Sequence, residues 1–342
     1  MAKKAYIGVD GVARRVTKIY VGVDGVARRI KKAYVGRAGI AISFWSIGVE
    51  RYESEFINMR LKTSRYNLAA TTVGGYALFG GGVSNSDDYY DIVDVYNKSL
   101  SQHITVKPLS VARDNLAATT VGNYALFGGG YFSKAVDAYD TSLTKSTATQ
   151  LKKSSSRLPA TTVGNYALFG GGYIDYSHTD VVDAYNTSLE KAETVTPLSV
   201  ARCDLAATTV GGYALFGGGQ GKTQNGTVYY DTVDAYDTSL TKSTVTPLSV
   251  ARYNLAATTV GGYALFGGGY GGSYSDIVDV YDTSLTKTIT TPLSVARHDL
   301  SATTVWNYAL FGGGRGKTQN GTSFYDIVDV YDTSLTKPPA TT

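Results

Sequence analysis

With a single cysteine, Cys203, the chain has no route to an internal disulfide framework. Its three histidines, His103, His178 and His298, are far apart and show no metal-ligand spacing. No apolar run approaches the roughly 18 residues of a membrane-spanning helix. The start, Met1-Ala2-Lys3-Lys4-Ala5-Tyr6, is basic but has no apolar stretch behind it, so no secretory leader is expected. Charge of either sign is nearly balanced, at +4 net. The basic pairs Arg14-Arg15, Arg28-Arg29 and Lys31-Lys32 read as solvated hairpin edges that resist aggregation rather than as a nucleic-acid surface. Neither nucleic acid nor membrane is therefore an expected partner.

What is present is repetition. Tyr-Ala-Leu-Phe-Gly-Gly-Gly occurs six times, starting at Tyr76, Tyr124, Tyr166, Tyr213, Tyr263 and Tyr308, at spacings of 48, 42, 47, 50 and 45 residues. A period in this range marks a solenoid or a propeller. The copy from Arg202 to Arg252 reads as four short strands. Leu205–Val210 is followed by a Gly211-Gly212 turn and Tyr213–Phe216. After the triple glycine and a polar loop come Asp231–Tyr236 and then Thr244–Thr246. Each run is too short and too glycine-bounded for a helix. Four antiparallel strands make one blade, which buries its faces only against other blades.

The paired glycines after an apolar strand, Asp279-Val280-Tyr281-Asp282 and a terminal Arg resemble the kelch repeat over about residues 52–337. The Trp common in the fourth kelch strand is absent; Thr244 or Ile289 stands near that place. The resulting expectation is an all-β, six-bladed kelch-like β-propeller. Only Pro338–Thr342 follows the last third strand, and prolines cannot complete a ladder. Residues within 52–65, which match Thr288–Arg297, are expected to close the ring as an N-terminal strand. The arginines Arg65, Arg113, Arg157, Arg202, Arg252 and Arg297 read as a structural set that bridges blades.

Ahead of the propeller, Tyr6-Ile7-Gly8-Val9-Asp10-Gly11-Val12-Ala13-Arg14 recurs as Tyr20-Val21-Gly22-Val23-Asp24-Gly25-Val26-Ala27-Arg28, with a decayed third copy from Ala33. Asp-Gly between β-formers predicts hairpins. The expected layout is a hairpin-repeat arm over 1–45, a linker at 46–51, the propeller over 52–337 and a tail at 338–342. These repeats resemble the N-termini of tail-associated minor structural proteins of phages and prophages of Gram-positive bacteria. The resemblance implies that residues 1–45 attach to other tail proteins, that the distal domain meets the host, and that the protein resides in a virion tail after synthesis in the bacterial cytoplasm. A homo-oligomer fits so small an arm.

Motifs for catalysis are weak. Gly219-Gln220-Gly221-Lys222-Thr223 and Gly314-Arg315-Gly316-Lys317-Thr318 imitate phosphate loops, but Phe216 and Phe311 occupy the required first-glycine position and a strand follows, not a helix. Cys203 has no constellation suited to the copper centre of galactose oxidase, a protein that carries kelch blades. No enzyme activity, catalytic residue, metal or cofactor is expected.

The repeats differ in two places: after the blade-closing Arg, and in the loop after the triple glycine. Alternating strand direction puts both on one rim. That rim is rich in Tyr, Ser, Asn and Asp, a mixture suited to recognition. The expected ligand-binding residues are Tyr66, Asn67, Asp114, Tyr131, Tyr173, His178, Tyr253, Tyr270, Tyr274 and His298, and the expected ligand is a host-surface glycan or protein. A cytoplasmic bacterial kelch scaffold for protein–protein contact is the alternative, followed by an oxidoreductase or lyase. Trp306 breaks the Gly-Gly turn of the last repeat on the opposite rim.

Overall fold

Each Tyr-Ala-Leu-Phe-Gly copy is a strand, and the Ala-Thr-Thr-Val run before it is its antiparallel partner. In blade one Ala69–Val73 pairs with Tyr76–Gly80, then Val93–Asn97 and His103–Thr105 follow in order. The computed structural model describes the backbone of six strands between residues 5 and 46, the backbone of 103–105, and residues 60–97, 106–318 and 321–337 in full. Blades two, four and five repeat the four-stranded order; blades three and six show three strands among the described residues. The chain divides into two units, residues 1–59 and 60–342. In the first, Ala5–Val9 pairs with Val12–Val16, Ile19–Val23 with Val26–Ile30, and Lys32–Arg37 with Ile40–Ser46. These are the hairpins that the Asp-Gly repeats predict.

The second unit is an all-β, propeller-like series of small sheets. Its blades are joined by one contact set used five times. The Phe of each blade inserts against the strand-ending glycine of the blade before it. A Cβ at Gly80, Gly128, Gly170, Gly217 or Gly267 would lie 2.6–2.8 Å from the ring of Phe127, Phe169, Phe216, Phe266 or Phe311. Glycine is required at these positions because the ring occupies the space of a side chain. Beside each ring a threonine pair crosses the joint: Thr71–Thr120 at 2.9 Å, Thr119–Thr162 at 2.8 Å, Thr161–Thr209 at 2.9 Å, Thr208–Thr259 at 2.8 Å and Thr258–Thr304 at 2.7 Å. Leu78, Leu126, Leu168, Leu215 and Leu265 are fully buried in the resulting clusters.

The far face of blade six makes none of these contacts among the described residues. A Cβ at Gly312 would meet only Val328 of its own blade, and Val305, Tyr308 and Val328 are exposed. Trp306, at φ +49°, stands where every other blade has glycine, and is 90% exposed. At those glycines a Cβ would approach the turn threonine of the next blade to 2.7–3.0 Å. Blade six therefore cannot take a neighbour in the register of the other five. The strand expected to close the ring from within 52–59 lies outside the described residues.

A buried ion pair sits at the entry of every blade but the third. Arg65–Asp94, Arg113–Asp137, Arg202–Asp234, Arg252–Asp279 and Arg297–Asp329 lie at 2.7–2.9 Å. The arginine also donates to the carbonyl of the blade's Phe. At Arg113, Arg202, Arg252 and Arg297 the arginine's own carbonyl accepts from the last of the three glycines in the preceding blade, as in Gly82 N–H to Arg113 O at 2.9 Å. The bridging role expected for these arginines is thus met at four positions, while Arg65 shows the same ion pair at the entry of blade one. Arg157 is the exception and corrects the expectation. It lies two residues late; Ser155 holds the arginine place, its hydroxyl bonding Gly171 O at 2.9 Å. Asp183, the acid of that blade, keeps a buried oxygen without a hydrogen bond.

Candidate functional site

The residue after each blade-closing position pairs with the residue after the triple glycine. The bridges are Tyr66–Val83, Ser156–Tyr173, Cys203–Gln220, Tyr253–Tyr270 and His298–Arg315; in blade two Tyr131 N–H donates to Asp114 O at 3.0 Å. Both variable sets therefore lie on one rim. The next residue in each blade, Asn67, Asn115, Arg157, Asp204, Asn254 or Asp299, is left-handed at φ 51–56°. Asn and Asp tolerate that region better than most side chains. Each N–H donates to the carbonyl of its counterpart one blade back, from Asn115 to Asn67 through Asp299 to Asn254, at 2.9–3.1 Å. Arg157 is the strained member, and Asp204 holds it: Nε reaches Oδ1 at 2.7 Å and the terminal nitrogen meets Oδ2.

The rim divides into two chemically different halves. Over blades four to six the aromatic residues pack on one another, with the exception of Phe324 in the blade-six hairpin, which is exposed. Tyr229 stacks on Tyr253 at 5.3 Å, and Tyr270 meets Tyr253 at 5.9 Å and Tyr274 at 5.3 Å. His298, only 6% exposed, sits against Tyr253, Tyr270 and Tyr274. Its Nδ1 makes no hydrogen bond and lies 3.5 Å from Asp299. Burial lowers the His298 pKa; Asp299 opposes this and Arg315 adds to it. Here the fingerprint expected of a binding face is spent on internal packing.

Over blades one to three the rings face outward. Tyr66, Tyr89, Tyr131, Phe132 and Tyr176 are all exposed, Phe132 at 72% and Tyr176 at 88%. Tyr89 stacks on Tyr131 at 5.9 Å, and Tyr131 meets Phe132 at 4.0 Å. A notch of about 40 Å³ between blades two and three is lined by Tyr131, Phe132, Tyr173 and Tyr176 with Ser156 and Asp175. Phe132, Asp175 and Tyr176 are left-handed at φ 54°, 42° and 66°, a conformation that costs bulky side chains and concentrates at sites of function. Tyr173 carries Arg157 over its ring at 5.5 Å and His178 at its edge at 5.3 Å. Asn67 donates to Asp114 at 3.3 Å.

The ten expected residues thus fall into two groups. Tyr66, Asn67, Asp114, Tyr131, Tyr173 and His178 belong to the open half; Tyr253, Tyr270, Tyr274 and His298 belong to the packed half. Tyr89, Phe132 and Tyr176 were not singled out, although each lies in a variable loop. A wider cleft of about 570 Å³ runs along the first strand of blade one on the opposite rim, lined by Gly and Thr with Tyr76, Tyr96, Asn97 and Asn123. It has no charged residue in its lining.

The phosphate-loop imitations are β-hairpins. Gln220–Thr223 pairs with Gly226–Tyr229, and Arg315–Thr318 with Gly321–Phe324. Cys203 is buried and donates to Asp204 at 3.2 Å; burial pushes its thiol up, so it stays protonated. Among the described residues no group of three His, Cys, Asp or Glu is placed to hold a metal ion, and no helix is long and apolar enough to cross a membrane.

The rim has a pH signature with one histidine in each half. His178 is also shifted down, by burial and then by Arg157. Both histidines bind a proton less readily folded than unfolded, where the pKa is about 6.5. As pH falls below that value the unfolded chain takes up protons first, and stability is lost. Burial holds Asp114 above the usual carboxylate range, which acts in the opposite sense. The melting temperature of His178→Gln/His298→Gln is therefore expected to fall less between pH 7 and about pH 5 than that of the parent. Parallel profiles for the two proteins would contradict this.

No family model and no curated protein matches the chain. Among solved structures it is similar to the one described as "Structure of YjhT", at 12% identity and a TM-score of 0.59, over 79% of this chain and 96% of that one. At that identity the likeness shows the fold alone: a multi-bladed, propeller-like all-β unit with distant kinship to a known β-propeller protein.

Proposed function

We propose that this chain is a non-enzymatic binding propeller that recognises a glycan or protein on a bacterial surface through the rim of blades one to three. The observation that carries the reading is the exposed aromatic strip from Tyr66 and Tyr89 through Tyr131 and Phe132 to Tyr176. Phe132 and Tyr176 face solvent on left-handed backbone, whereas Tyr229, Tyr253, Tyr270 and Tyr274 of blades four and five pack on one another. Ring faces stack on the apolar C–H faces of sugars and dominate many protein contacts. The kelch resemblance supports a binding scaffold. The hairpin repeats support placement in a phage or prophage tail, with residues 1–45 as the attachment arm to other tail proteins or further copies of the chain. A cytoplasmic scaffold for protein contact uses the same rim and is the second reading.

The test is Phe132→Ala/Tyr176→Ala in the full chain, assayed on glycan arrays and host cells. Binding is expected to fall by about 2 kcal/mol or more, roughly thirtyfold, with an unchanged melting curve. Trp306→Ala, an equally exposed ring on the other rim, is expected to bind as the parent does. Loss of binding in Trp306→Ala alone would place recognition on the wrong rim. Detection of the chain in purified virions separates the tail from the cytoplasmic reading.

A further inference from the structure

Asp114 is only 6% exposed, and its Oδ1 makes no hydrogen bond. Oδ2 accepts from Asn67 at 3.3 Å and Asn115 at 2.6 Å, so its partners are neutral. Among the described residues no lysine or arginine forms an ion pair with it; the adjacent Arg113 is committed to Asp137. A buried carboxylate without a counter-charge is costly, and here burial raises its pKa. In the other blades this position holds Tyr66, Ser156, Cys203, Tyr253 and His298. The acid belongs to blade two alone.

Three half-exposed rings belong to the same patch of the rim. Tyr131 is hydrogen-bonded through its N–H to the Asp114 carbonyl at 3.0 Å. Tyr89 stacks on Tyr131 with planes 14° apart, and Val83 bridges Tyr89 to Tyr66. Burial, then the charge of Asp114, raises the Tyr89 phenol, with Tyr131, Asp87 and Tyr66 contributing further. These groups are therefore mutually close. Asp87 and Asp88 are exposed in the same loop.

Electron-rich ring faces beside carboxylates attract an organic cation. A neutral hydroxyl supplies a hydrogen bond to Asp114 but no charge, and an anion is repelled by three acids. Continuity with Phe132, at 4.0 Å from Tyr131, extends the surface into the rings suited to sugar stacking. Resting on the rim reading above, we propose that Tyr66, Tyr89, Tyr131 and Asp114 form a subsite for an ammonium group carried on a saccharide, a free-amine hexosamine in preference to its N-acetylated or acidic counterparts.

The experiment is a titration of the full chain at neutral pH, followed by tyrosine fluorescence, with glucosamine, N-acetylglucosamine and tri-lysine as probes. Glucosamine is expected to saturate, and N-acetylglucosamine to bind at least about tenfold more weakly. Asp114→Asn and Tyr89→Leu are each expected to weaken glucosamine by about tenfold, while Asn165→Ala on the opposite rim leaves it unchanged. Tyr89 is exposed, so its variant carries the test if Asp114→Asn does not fold. Equal binding of the two sugars, or undiminished glucosamine binding in both variants, overturns the subsite. Tighter binding of tri-lysine than of glucosamine overturns its assignment to a saccharide. If Phe132→Ala/Tyr176→Ala loses surface binding while the amine preference is absent, the rim reading stands and this subsite falls.

Discussion

Asp279→Ala is expected to destabilise the propeller by about 3–5 kcal/mol, because it leaves a buried guanidinium unpaired. Arg252 and Asp279 are both fully buried and 2.8 Å apart. Asp279 also accepts from the Ser249 N–H and hydroxyl and pairs with Lys287 at 3.0 Å. Burial alone would raise its pKa, but Arg252 and these donors hold it below the usual range. The same carboxylate thus fixes the link into blade five, the third strand and the outer lysine. Its loss is expected to lower the melting temperature by roughly 6–20 °C. Blade three is a built-in control. Asp183 has no arginine partner, only the Lys152 N–H at 3.0 Å and Lys191 at 3.5 Å. Asp183→Ala strands no buried guanidinium, and its cost is expected to stay under about 2 kcal/mol. Similar losses in urea melts of the two variants would show that the ion pair is not what holds the joint.

The second large effect comes from moving a residue that blade six already carries. In Gly211→Trp, the new Cβ would lie 2.7 Å from the Thr283 backbone Cα. Backbone cannot yield as a side-chain tip does, and overpacking of this kind costs about 3 kcal/mol or more. The left-handed φ of +54° adds strain for any residue but glycine. The reverse change, Trp306→Gly, removes a ring with no joint to fill and is expected to leave stability unchanged or raise it by up to about 1 kcal/mol. The two substitutions should therefore move the melting temperature in opposite directions, or one strongly and the other hardly at all. A neutral Gly211→Trp would mean that the joint between blades four and five is not packed as described.

The lysines of the outer strands show how surface logic misleads at a repeat. Lys145 and Lys242, which open the outer strands of blades two and four, have the length and charge expected of idle surface side chains. Instead Lys145 bonds Pro108 O at 2.7 Å and pairs with Asp137 at 2.9 Å, and Lys242 reaches Ser199 at 3.1 Å. They belong to the joint acids, so neither serves as a silent control for binding.

The sheets were legible because identical strand sequences leave little choice. Alternation in Ala-Ala-Thr-Thr-Val, glycines at fixed offsets and a constant Asp-Val/Ala-Tyr strand point the same way in every copy. The one register error has the same origin. Arg157 sits next to Leu158, while the joint arginines stand three residues before theirs, and a missing arginine is invisible when another lies nearby. The rim was legible as a location but not as a surface. Whether a tyrosine faces water depends on loop length in the neighbouring blade. The Gln220–Tyr229 hairpin carries Tyr229 over Tyr253 and closes that half. The short loop of blade two leaves Phe132 with no such cover. Composition is the same in both halves; only the three-dimensional reach of adjacent loops separates them.

Five joints that share one Phe–Gly seam, followed by one bulky residue, also bear on how such a gene changes. Near-identical coding repeats are prone to unequal crossing-over, which adds or deletes whole units. A unit gained or lost between the first and the last copy recreates a fitting Phe–Gly seam, so chains of different blade number remain packable. A unit appended after the last copy would meet Trp306 where it needs glycine. Gain or loss of a unit is thus accommodated at the Phe–Gly seams, while the face that carries Trp306 does not offer the same seam.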